Sequence, residues 1–324
     1  MDFSQFDLNL LVTLDALLTE KNVTHAGVRV HLSQSATSGA LSRLREFFHD
    51  DLLVPVGRKM VLTPLAEELV RPVRDILLQM QATVTMRPKF DPASSDQHFS
   101  LALSDYVTTI FMADVLRHIK RQAPGITFDL RSTGERSIEA LEGGSLDFLI
   151  VPENYVSRDH PSEVLFVETH TCIAWTGNSR IGRKISLEEY LTLGHVMVHV
   201  GEGSAPNYEE WFLKRSKHRR KAEVITQSFD AAPQLVVGTD RIATVATRLA
   251  KKYAKFLPLK LIPVPVEIPP MVEVVQWHKS HNHDTAFLWL RGILRDQAAH
   301  LLGPPSPSNG REISRITRPR KGRA

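Results

Sequence analysis

Apolar positions in the first fifty residues recur with the three- to four-residue spacing of helices. Leu11, Leu14 and Leu18 share one face of a predicted first helix. Thr24 and Ser33 are predicted to cap two further helices, with a turn at positions 31–32 between them. Two helices joined by so short a turn are typical of a helix-turn-helix unit.

The next segment predicts a two-stranded wing followed by a long helix. The run LLVPVGRKMVLT carries β-branched and apolar residues on both sides of Gly57, as an antiparallel strand pair would. Pro64 suits the first turn of a helix, and the apolar pattern continues to Met86. Such a helix would be about 35 Å long, and a second copy of the chain is the simplest cover for its apolar stripe. The stripe consists of Leu65, Leu69, Val73, Ile76, Met80 and Val84.

Beyond the polar run RPKFDPASSDQ, strand-like runs alternate with amphipathic helical ones. FSLALS, ITFDL and DFLIV form a first series of strands, and LFVETHTCIAW opens a second series with HVMVHV, AEVIT and RIATV. MVEVVQW predicts one more strand, and DTAFLWLRGILRDQAAHLL predicts a final helix. This alternation indicates an α/β region built in two parts.

Composition narrows the class of protein. A chain of 324 residues exceeds the size at which single cores usually stop growing, and 42% hydrophobic with 23% charged residues is ordinary for globular domains. The N-terminus has no signal-peptide pattern, and no run of about 18 apolar residues occurs. Cys172, the single cysteine, is interpreted as a core residue. We therefore expect a cytoplasmic protein without a disulfide or a membrane span.

Net charge is informative only where it is localised. Residues 303–324 hold six basic residues and one acidic residue, so this tail alone accounts for the net charge of +4. We predict that the tail is disordered, because it has no apolar periodicity. Residues 21–63 hold six basic residues against three acidic ones, in the predicted helix-turn-helix and wing. This local excess favours nucleic-acid binding.

The sequence offers no enzyme motif. GEGSAP and GNSRIGRK lack the patterns of nucleotide-binding loops, and His278, His281 and His283 have no carboxylate or thiol quartet that would complete a metal site. We therefore expect no enzymatic activity, no cofactor and no metal. Two rival classes remain open: a solute-binding protein, which would need a signal peptide, and an enzyme with a helical appendage, which would need a catalytic cluster.

The second helix of the predicted helix-turn-helix begins with short polar side chains. In this motif the N-terminal turns of that helix enter the major groove, where Gln34 could pair with adenine in two places. The predicted base-contacting residues are Ser33, Gln34, Ser35, Thr37 and Ser38, and the predicted phosphate-contacting residues are Arg43, Arg58 and Lys59.

The stretch from Thr24 to Phe48 resembles the helix-turn-helix of the LysR-type transcriptional regulators. The matching residues are Ala26, Val30, Leu32, Ser33, Gln34, Ala36, Ser38, Leu41 and Leu44, and GRKMVLTP after the wing turn is also similar. The sequence departs from the family pattern at Ser35, Arg45, Pro55 and Glu67, where proline, glutamate, arginine and glycine are usual. The departures at 35 and 55 concern individual DNA contacts, whereas the helix-packing positions match.

The resemblance runs from Phe6 to about His300 and points in particular to nodulation regulators of the nodulation protein D and SyrM type. It is carried by DLNLLVTLDALLTEKN, LSDYVTTIF, GHVMVHVG, GTDRIATV and VVQWHKSHNHDTAFLWLRGIL. The same branch is similar to regulators of aromatic degradation, so two biological processes stay open.

The resemblance implies a domain plan. An N-terminal all-α winged helix-turn-helix (1–63) and a long linker and dimerisation helix (64–88) would precede an α/β, two-lobed, periplasmic-binding-protein-like effector domain (89–302) and the tail (303–324). The lobes would comprise about 98–165 with 267–302, and 166–266.

The resemblance also implies partners. Double-stranded DNA would bind the first domain, dimers would pair into tetramers, and RNA polymerase would be contacted during activation of symbiosis or nodulation genes, or alternatively of aromatic catabolism. A small aromatic or flavonoid effector would bind between the lobes, with an effector-independent protein as the alternative. The implied effector-binding residues are Ser104, Asp105, Ser132, Thr133, Gly201 and Ser204.

Overall fold

The computed structural model of the chain describes residues 6–57, 59–84, 90–200, 205–206, 208–215 and 219–303. The chain forms two compact units, one of residues 1–87 with 142–144 and one of residues 88–141 with 145–324. The first unit is helical with a small sheet, and the second is α/β. Within the described ranges, no helix combines the length and apolarity that crossing a bilayer requires.

Three short helices open the first unit. They are α1 (Asn9–Glu20), α2 (Val23–Arg29) and α3 (Gln34–Phe48). Ser33 caps α3 as predicted, because its hydroxyl accepts the Ala36 N–H at 3.2 Å. The predicted cap at Thr24 is wrong: Asn22 precedes α2, and its side-chain oxygen accepts the N–H groups of Thr24 and His25.

The wing and the long helix follow. The wing is an antiparallel pair of β1 (Leu53–Val56) and β2 (Lys59–Leu62), which confirms the predicted strand pair. The long helix, α4, spans Pro64–Val84 and includes Pro72. Its predicted continuation to Met86 falls outside the described residues.

Hydrogen bonds of Asp50 connect the start of the wing to the start of α4. Its Oδ1 accepts the Leu52 N–H at 2.7 Å and the Thr63 hydroxyl at 2.6 Å. Thr63 Oγ1 in turn accepts the N–H of Ala66 in the first turn of α4 at 3.1 Å. Leu52 has a positive φ of 59°, which is costly for a bulky side chain. The Asp50 carboxylate therefore helps to hold a strained residue at the base of the wing.

The first part of the apolar stripe on α4 packs in the core of its own unit. Val73 is buried, and Leu69 packs against the core formed by α1, α3 and the wing. Ile76, Met80 and Val84 are 47%, 42% and 84% exposed. The predicted apolar stripe therefore has two parts, one in the core of the unit and one on the surface of the chain.

The second unit contains two mixed sheets. Its strands are β3 (His98–Ala102), β4 (Thr127–Arg131), β5 (Phe148–Pro152), β6 (Ser162–Glu168), β7 (His170–Trp175), β8 (Gly194–Val200), β9 (Ala205–Pro206), β10 (Lys221–Thr226), β11 (Ile242–Ala246), β12 (Leu259–Ile262) and β13 (Met271–Trp277). The helices along the same part of the chain are α5 (Asp105–Val107), a π-helical segment (Thr108–Met112), α6 (Ala113–Gln122), α7 (Ser137–Glu142), α8 (Leu187–Thr192), α9 (Tyr208–Arg215), α10 (Ala232–Val236), α11 (Thr247–Tyr253) and α12 (Thr285–Leu302), with 3-10 turns at Glu153–Tyr155 and Lys279–His281.

The first sheet has the strand order β4–β3–β5–β13–β6. β3 runs parallel to β4 and β5, whereas β13 runs antiparallel to β5 and β6. Phe99, Phe148 and Phe287 contact one another in its core, which is covered by α12. The last strand among the described residues, β13, therefore returns to the sheet that contains β3, β4 and β5.

The second sheet has the order β10–β8–β11–β7–β12, with β9 paired to β8. β8 is parallel to β10 and β11, and β7 is antiparallel to β11 and β12. Cys172 lies in β7 and is fully buried, which confirms its interpretation as a core residue.

The run LFVETHTCIAW, predicted as one strand, forms parts of two strands that belong to different sheets. It divides after Glu168, where β6 ends, and β7 begins at His170. β6 pairs with β13 in the first sheet, and β7 pairs with β11 and β12 in the second. The first sheet therefore extends to Glu168, past the expected lobe boundary at about 165. The sequence does not indicate this, because a continuous strand-forming run does not reveal a change of sheet. The predicted disordered tail lies, after Gly303, beyond the described residues.

Candidate functional site: a nucleic-acid interface and a ligand cavity

α3 presents its N-terminal turns to solvent. Ser33, Gln34, Ser35 and Ser38 are exposed, and the hydroxyls of Ser33 and Ser35 lie 3.0 Å apart. The free N–H groups at a helix N-terminus favour an anion such as a phosphate. Four of the five predicted base-contacting side chains are therefore accessible together.

Thr37 is the exception, and its prediction as a base-contacting residue is wrong. Its side chain is fully buried, and its hydroxyl donates to the Ser33 carbonyl at 2.9 Å. A Cβ atom on Gly27 of α2 would lie 2.7 Å from that hydroxyl and 2.9 Å from the Leu32 carbonyl oxygen. The helical period turns Thr37 toward α2, so this residue determines how closely the two helices pack.

The basic residues near α3 differ in their availability. Arg43 is exposed, and its guanidinium lies 3.0 Å from the Asp7 carboxylate. Lys59 on β2 is exposed, whereas Arg58 is not among the described residues. Arg45 donates to two backbone carbonyl oxygens beside and within β1, so it supports the wing.

A cavity of about 280 Å³ lies between the two sheets of the second unit. Its wall includes the end of β5 from the first sheet and the end of β11 from the second. Its other apolar and aromatic contributors include Tyr106, Ile138, Tyr155, Tyr208, Phe229 and Met271. No Lys or Arg occurs among the described residues that line it. A cavity of this kind suits a small, mostly apolar molecule.

The described members of the predicted effector site gather at this cavity and an adjoining one. Ser104 and Thr133 line both cavities. Asp105 and Ser132 line the adjoining cavity, which has a volume of about 660 Å³. The ends of β3 and β4 thus meet where α/β sheets commonly bind ligands. The two candidates outside the described ranges are Gly201 and Ser204.

Asp105 also joins the two halves of the unit. Its Oδ2 accepts the Ser228 hydroxyl at 2.7 Å and the Asp230 N–H at 3.1 Å. Ser228 and Asp230 follow β10 of the second sheet, whereas Asp105 follows β3 of the first. A second link is the Thr109 hydroxyl, which donates to Asp230 Oδ2 at 2.5 Å.

Glu168, at the end of β6, is a buried carboxylate with several partners. It is 1% exposed, accepts the Tyr106 hydroxyl at 2.5 Å and lies 3.2 Å from the Arg248 guanidinium. Its other oxygen accepts the Thr169 N–H at 2.8 Å. Burial, and then the neighbouring Glu168, raise the pKa of Tyr106 well above its ordinary value.

Glu273 is a second buried carboxyl group, and it lines the cavity itself. It lies on β13 and is 2% exposed. Its Oε2 has no hydrogen-bond partner among the residues that the structure describes. Burial, with a further contribution from Glu168, raises the pKa of Glu273 to about 8, so this carboxyl group is mostly protonated at neutral pH.

His170 contributes a ring to the same wall. Burial, and then the charge of Arg220, lower the pKa of His170 to about 4, so the ring is neutral at neutral pH. It stacks on Tyr208 with ring centroids 5.9 Å apart.

Sequence reasoning missed both glutamates. The available signal was a charged residue inside each of two apolar strand runs, LFVE and MVEVVQW, because glutamate is rarely buried without a specific reason.

Comparison with known families relates both regions to one kind of protein. The family described as "LysR substrate binding domain" matches residues 92–299, which include the described lining of the cavity. The family described as "Bacterial regulatory helix-turn-helix protein, lysR family" matches residues 8–67, which include α3 and the wing.

Relatives are similar over nearly the whole chain. Nodulation protein D of Bradyrhizobium sp. (strain ANU 289) is 41% identical over 311 residues, which cover 95% of this chain and 92% of that protein. Nodulation protein D 2 of Rhizobium tropici is 42% identical over 307 residues, which cover 95% and 98% respectively. Among solved structures, a probable transcriptional regulator of Pseudomonas aeruginosa is 28% identical with a TM-score of 0.62, covering 90% of this chain and 98% of that one.

Proposed function

The chain belongs to the LysR family of bacterial transcriptional regulators, and on this basis we propose that it reads double-stranded DNA through the N-terminal turns of α3. The observation that carries this proposal is the joint exposure of Ser33, Gln34, Ser35 and Ser38 at one helix N-terminus. α3 would lie in the major groove, where Gln34 can form two hydrogen bonds with an adenine.

The DNA backbone would be held by basic residues around α3. Lys59 is exposed on the wing, and Arg43 would exchange its contact with Asp7 for a phosphate. Arg58 is proposed from the sequence alone. Such contacts contribute affinity that is independent of sequence and falls with salt concentration.

We propose that two copies of the chain associate through the second half of α4. Ile76, Met80 and Val84 form an exposed apolar stripe there, and burying such a stripe against a second copy is favourable. A dimer would present two α3 helices to half-sites about one helical turn apart. Pairing of dimers into tetramers belongs to the same proposal.

The cavity between the two sheets is proposed to bind a small aromatic or flavonoid effector. Its aromatic lining supports this class, and the similarity to nodulation protein D supports control of nodulation genes. Regulation of aromatic catabolism is the alternative. The observation against a typical aromatic acid is that the described lining residues of this cavity include no Lys or Arg, since Arg131 and Arg136 line only the adjoining cavity.

The effector would act by changing the relative populations of different arrangements of the two sheets. A molecule that binds one arrangement of the two sheets more tightly increases the share of that arrangement, in proportion to its differential affinity. The bound DNA would respond to the change, and contact with RNA polymerase in the cytoplasm would follow during activation.

A DNase I footprint on the DNA that flanks the gene of this protein tests the proposal. We expect the full chain to protect two half-sites about one helical turn, or a multiple of it, apart. Addition of a hydroxylated flavone should alter the protection pattern or transcription from that promoter. A chain that protects no sequence at saturating concentration would contradict the DNA-binding proposal, and an unchanged footprint and transcript level across an aromatic panel would contradict the effector proposal.

A further inference from the structure

We infer that Glu273 is a ligand-binding and specificity-determining residue of the cavity, where its carboxyl group bonds an uncharged polar group of the bound molecule and disfavours a carboxylate. This inference rests on the proposed effector function and deepens it, since it names the chemical class that the cavity accepts.

The neighbouring strands offer the Glu273 side chain no hydrogen-bond partner, so a partner would have to lie in the cavity. β13 lies between β5 and β6, and the register puts Glu273 beside Pro152 on one strand and Phe166 on the other. Neither of these side chains can form a hydrogen bond with a carboxyl group. Glu273 is only 2% exposed, and it lines the cavity.

The nearby glutamate shows what a satisfied carboxylate requires in this region. Glu168 is equally buried but has Tyr106, Arg248 and the Thr169 N–H as partners. Glu273 Oε2 has no hydrogen-bond partner among the described residues. A buried polar atom without a partner costs free energy, which a bound molecule would recover by pairing with it.

The charges around the cavity oppose a ligand carboxylate. Glu135 and Glu209 also line it, whereas no Lys or Arg does so within the described part of the chain. Arg248 and Arg220 already lie beside carboxylates, at 3.2 Å from Glu168 and at 3.6 Å from Glu209. Arg131 and Arg136 line the adjoining cavity but not this one. The neutral Glu273 carboxyl group can donate to a carbonyl or accept from a hydroxyl. The cavity therefore fits an uncharged aromatic molecule with such a group.

Isothermal titration of the full chain with two matched probes tests the inference. The probes are 4-hydroxychalcone and the analogue in which a carboxyl group replaces the hydroxyl. We expect the wild-type protein to bind the hydroxyl probe at least about tenfold more tightly, which corresponds to the net contribution of one hydrogen bond. Glu273→Leu should weaken binding of that probe by roughly tenfold, whereas Glu273→Gln, which retains a donor and an acceptor, should stay within about threefold of the wild type.

Controls separate this inference from the proposed function. Glu188→Gln removes an exposed carboxylate on α8, away from the cavity, and should leave both affinities unchanged. The DNA footprint is recorded on the same preparations, with circular dichroism as the check of folding. If Glu273→Leu does not fold, the preference of the wild type between the two probes and the Glu273→Gln affinity decide the question.

Three results would overturn the inference. They are full affinity in a folded Glu273→Leu, equal or tighter binding of the carboxylate probe by the wild type, and failure of the wild type to bind either probe. A normal footprint in any of these cases would leave the DNA-binding proposal standing, whereas loss of the footprint from the wild type would count against the regulator itself.

Discussion

Glu273 links the stability of the second unit to pH. Its pKa is about 8 in the folded protein against an ordinary 4.5. Between these values the unfolded chain releases a proton that the folded protein keeps, so stability that is present below pH 4.5 falls as the pH rises and is fully lost above about pH 8. We predict that Glu273→Gln, which cannot ionise, melts roughly 5 to 10 °C above the wild type at pH 8, with a smaller difference at pH 5.

Thermal melts followed by circular dichroism measure this difference. The titratable and charged groups beside Glu273 or on the same cavity wall include Glu168, Tyr106, Arg248, His170, Glu135 and Glu209. These groups are present in both proteins, so their own titration largely cancels in the comparison. A melting-temperature difference that is the same at pH 5 and pH 8 would show that Glu273 keeps an ordinary pKa.

At the scale of single residues, the sequence predicted the roles of surface residues better than those of buried ones. The cap at Ser33 and the exposure of Gln34 follow from helix-start rules. Thr37 could have been assigned correctly, because it continues the buried face of Leu41 and Leu44 at a spacing of four and three residues. Glu273 could be noticed in an apolar run, but its lack of a partner depends on neighbours that are distant in sequence.

At the scale of elements, the approach of α2 to α3 depends on a missing side chain at Gly27. A Cβ atom there would lie 2.7 Å from Thr37 Oγ1 and 2.9 Å from the Leu32 carbonyl oxygen, so the Thr37 side chain and the turn between the two helices must shift. We predict that Gly27→Ala lowers the free energy of unfolding by about 1 to 3 kcal/mol and weakens DNA binding. Urea denaturation of the first unit within the full chain measures the change.

Gly39→Ala on α3 is the matched control. Apart from the neighbouring backbone of α3 itself, no described atom lies within 4 Å of the Cβ position there, so the substitution should be neutral or stabilise the helix by up to about 1 kcal/mol. Equal destabilisation by the two substitutions would mean that the close contact of α2 with α3 is unimportant.

The division of the α4 stripe changes which residues test dimer formation. Leu69 packs in the core of its own unit, so a charge there would unfold the chain rather than separate two copies. We predict that the double substitution of Ile76→Glu and Met80→Glu yields a folded monomer with poor DNA affinity. Sedimentation velocity measures the mass, and Gln79→Glu, an exposed position of the same helix, should behave as the wild type. An unchanged sedimentation coefficient of the double variant would remove this stripe from the interface.

The sequence predicted most elements but not their partners. The wing and the start of α3 follow from local patterns around Gly57 and Ser33. The change of sheet between Glu168 and His170 could not be read, because both strands are apolar and β-branched. The return of β13 to the first sheet depends on pairing with β5 and β6 more than a hundred residues earlier, which no local pattern records.

For the molecule as a whole, the proposed coupling requires that the two sheets of the second unit be joined near the cavity. Asp105 accepts the Ser228 hydroxyl and the Asp230 N–H from across that junction. We predict that Asp105→Ala speeds hydrogen exchange at the Asp230 amide, because that N–H loses its acceptor, and diminishes the response to effector. Mass spectrometry of peptides from this segment measures the exchange.

Asp96→Ala, an exposed substitution in the polar segment before β3, serves as the control and should leave the exchange unchanged. Equal exchange in all three proteins would show that Asp105 does not hold the junction. The sequence placed Asp105 at the end of a strand, yet its partners across the junction could be identified only from the assembled unit.

The most direct test of the central claim, that α3 reads DNA sequence, is an equilibrium binding titration of wild type and Gln34→Ala on the footprinted duplex and on a shuffled duplex of equal length. We predict that the wild type prefers the footprinted duplex by at least about 10³-fold. Gln34→Ala should lose about 5- to 100-fold on that duplex, which corresponds to roughly 1 to 3 kcal/mol, and little on the shuffled one. Equal losses on both duplexes, or equal wild-type affinity for them, would contradict sequence reading by α3.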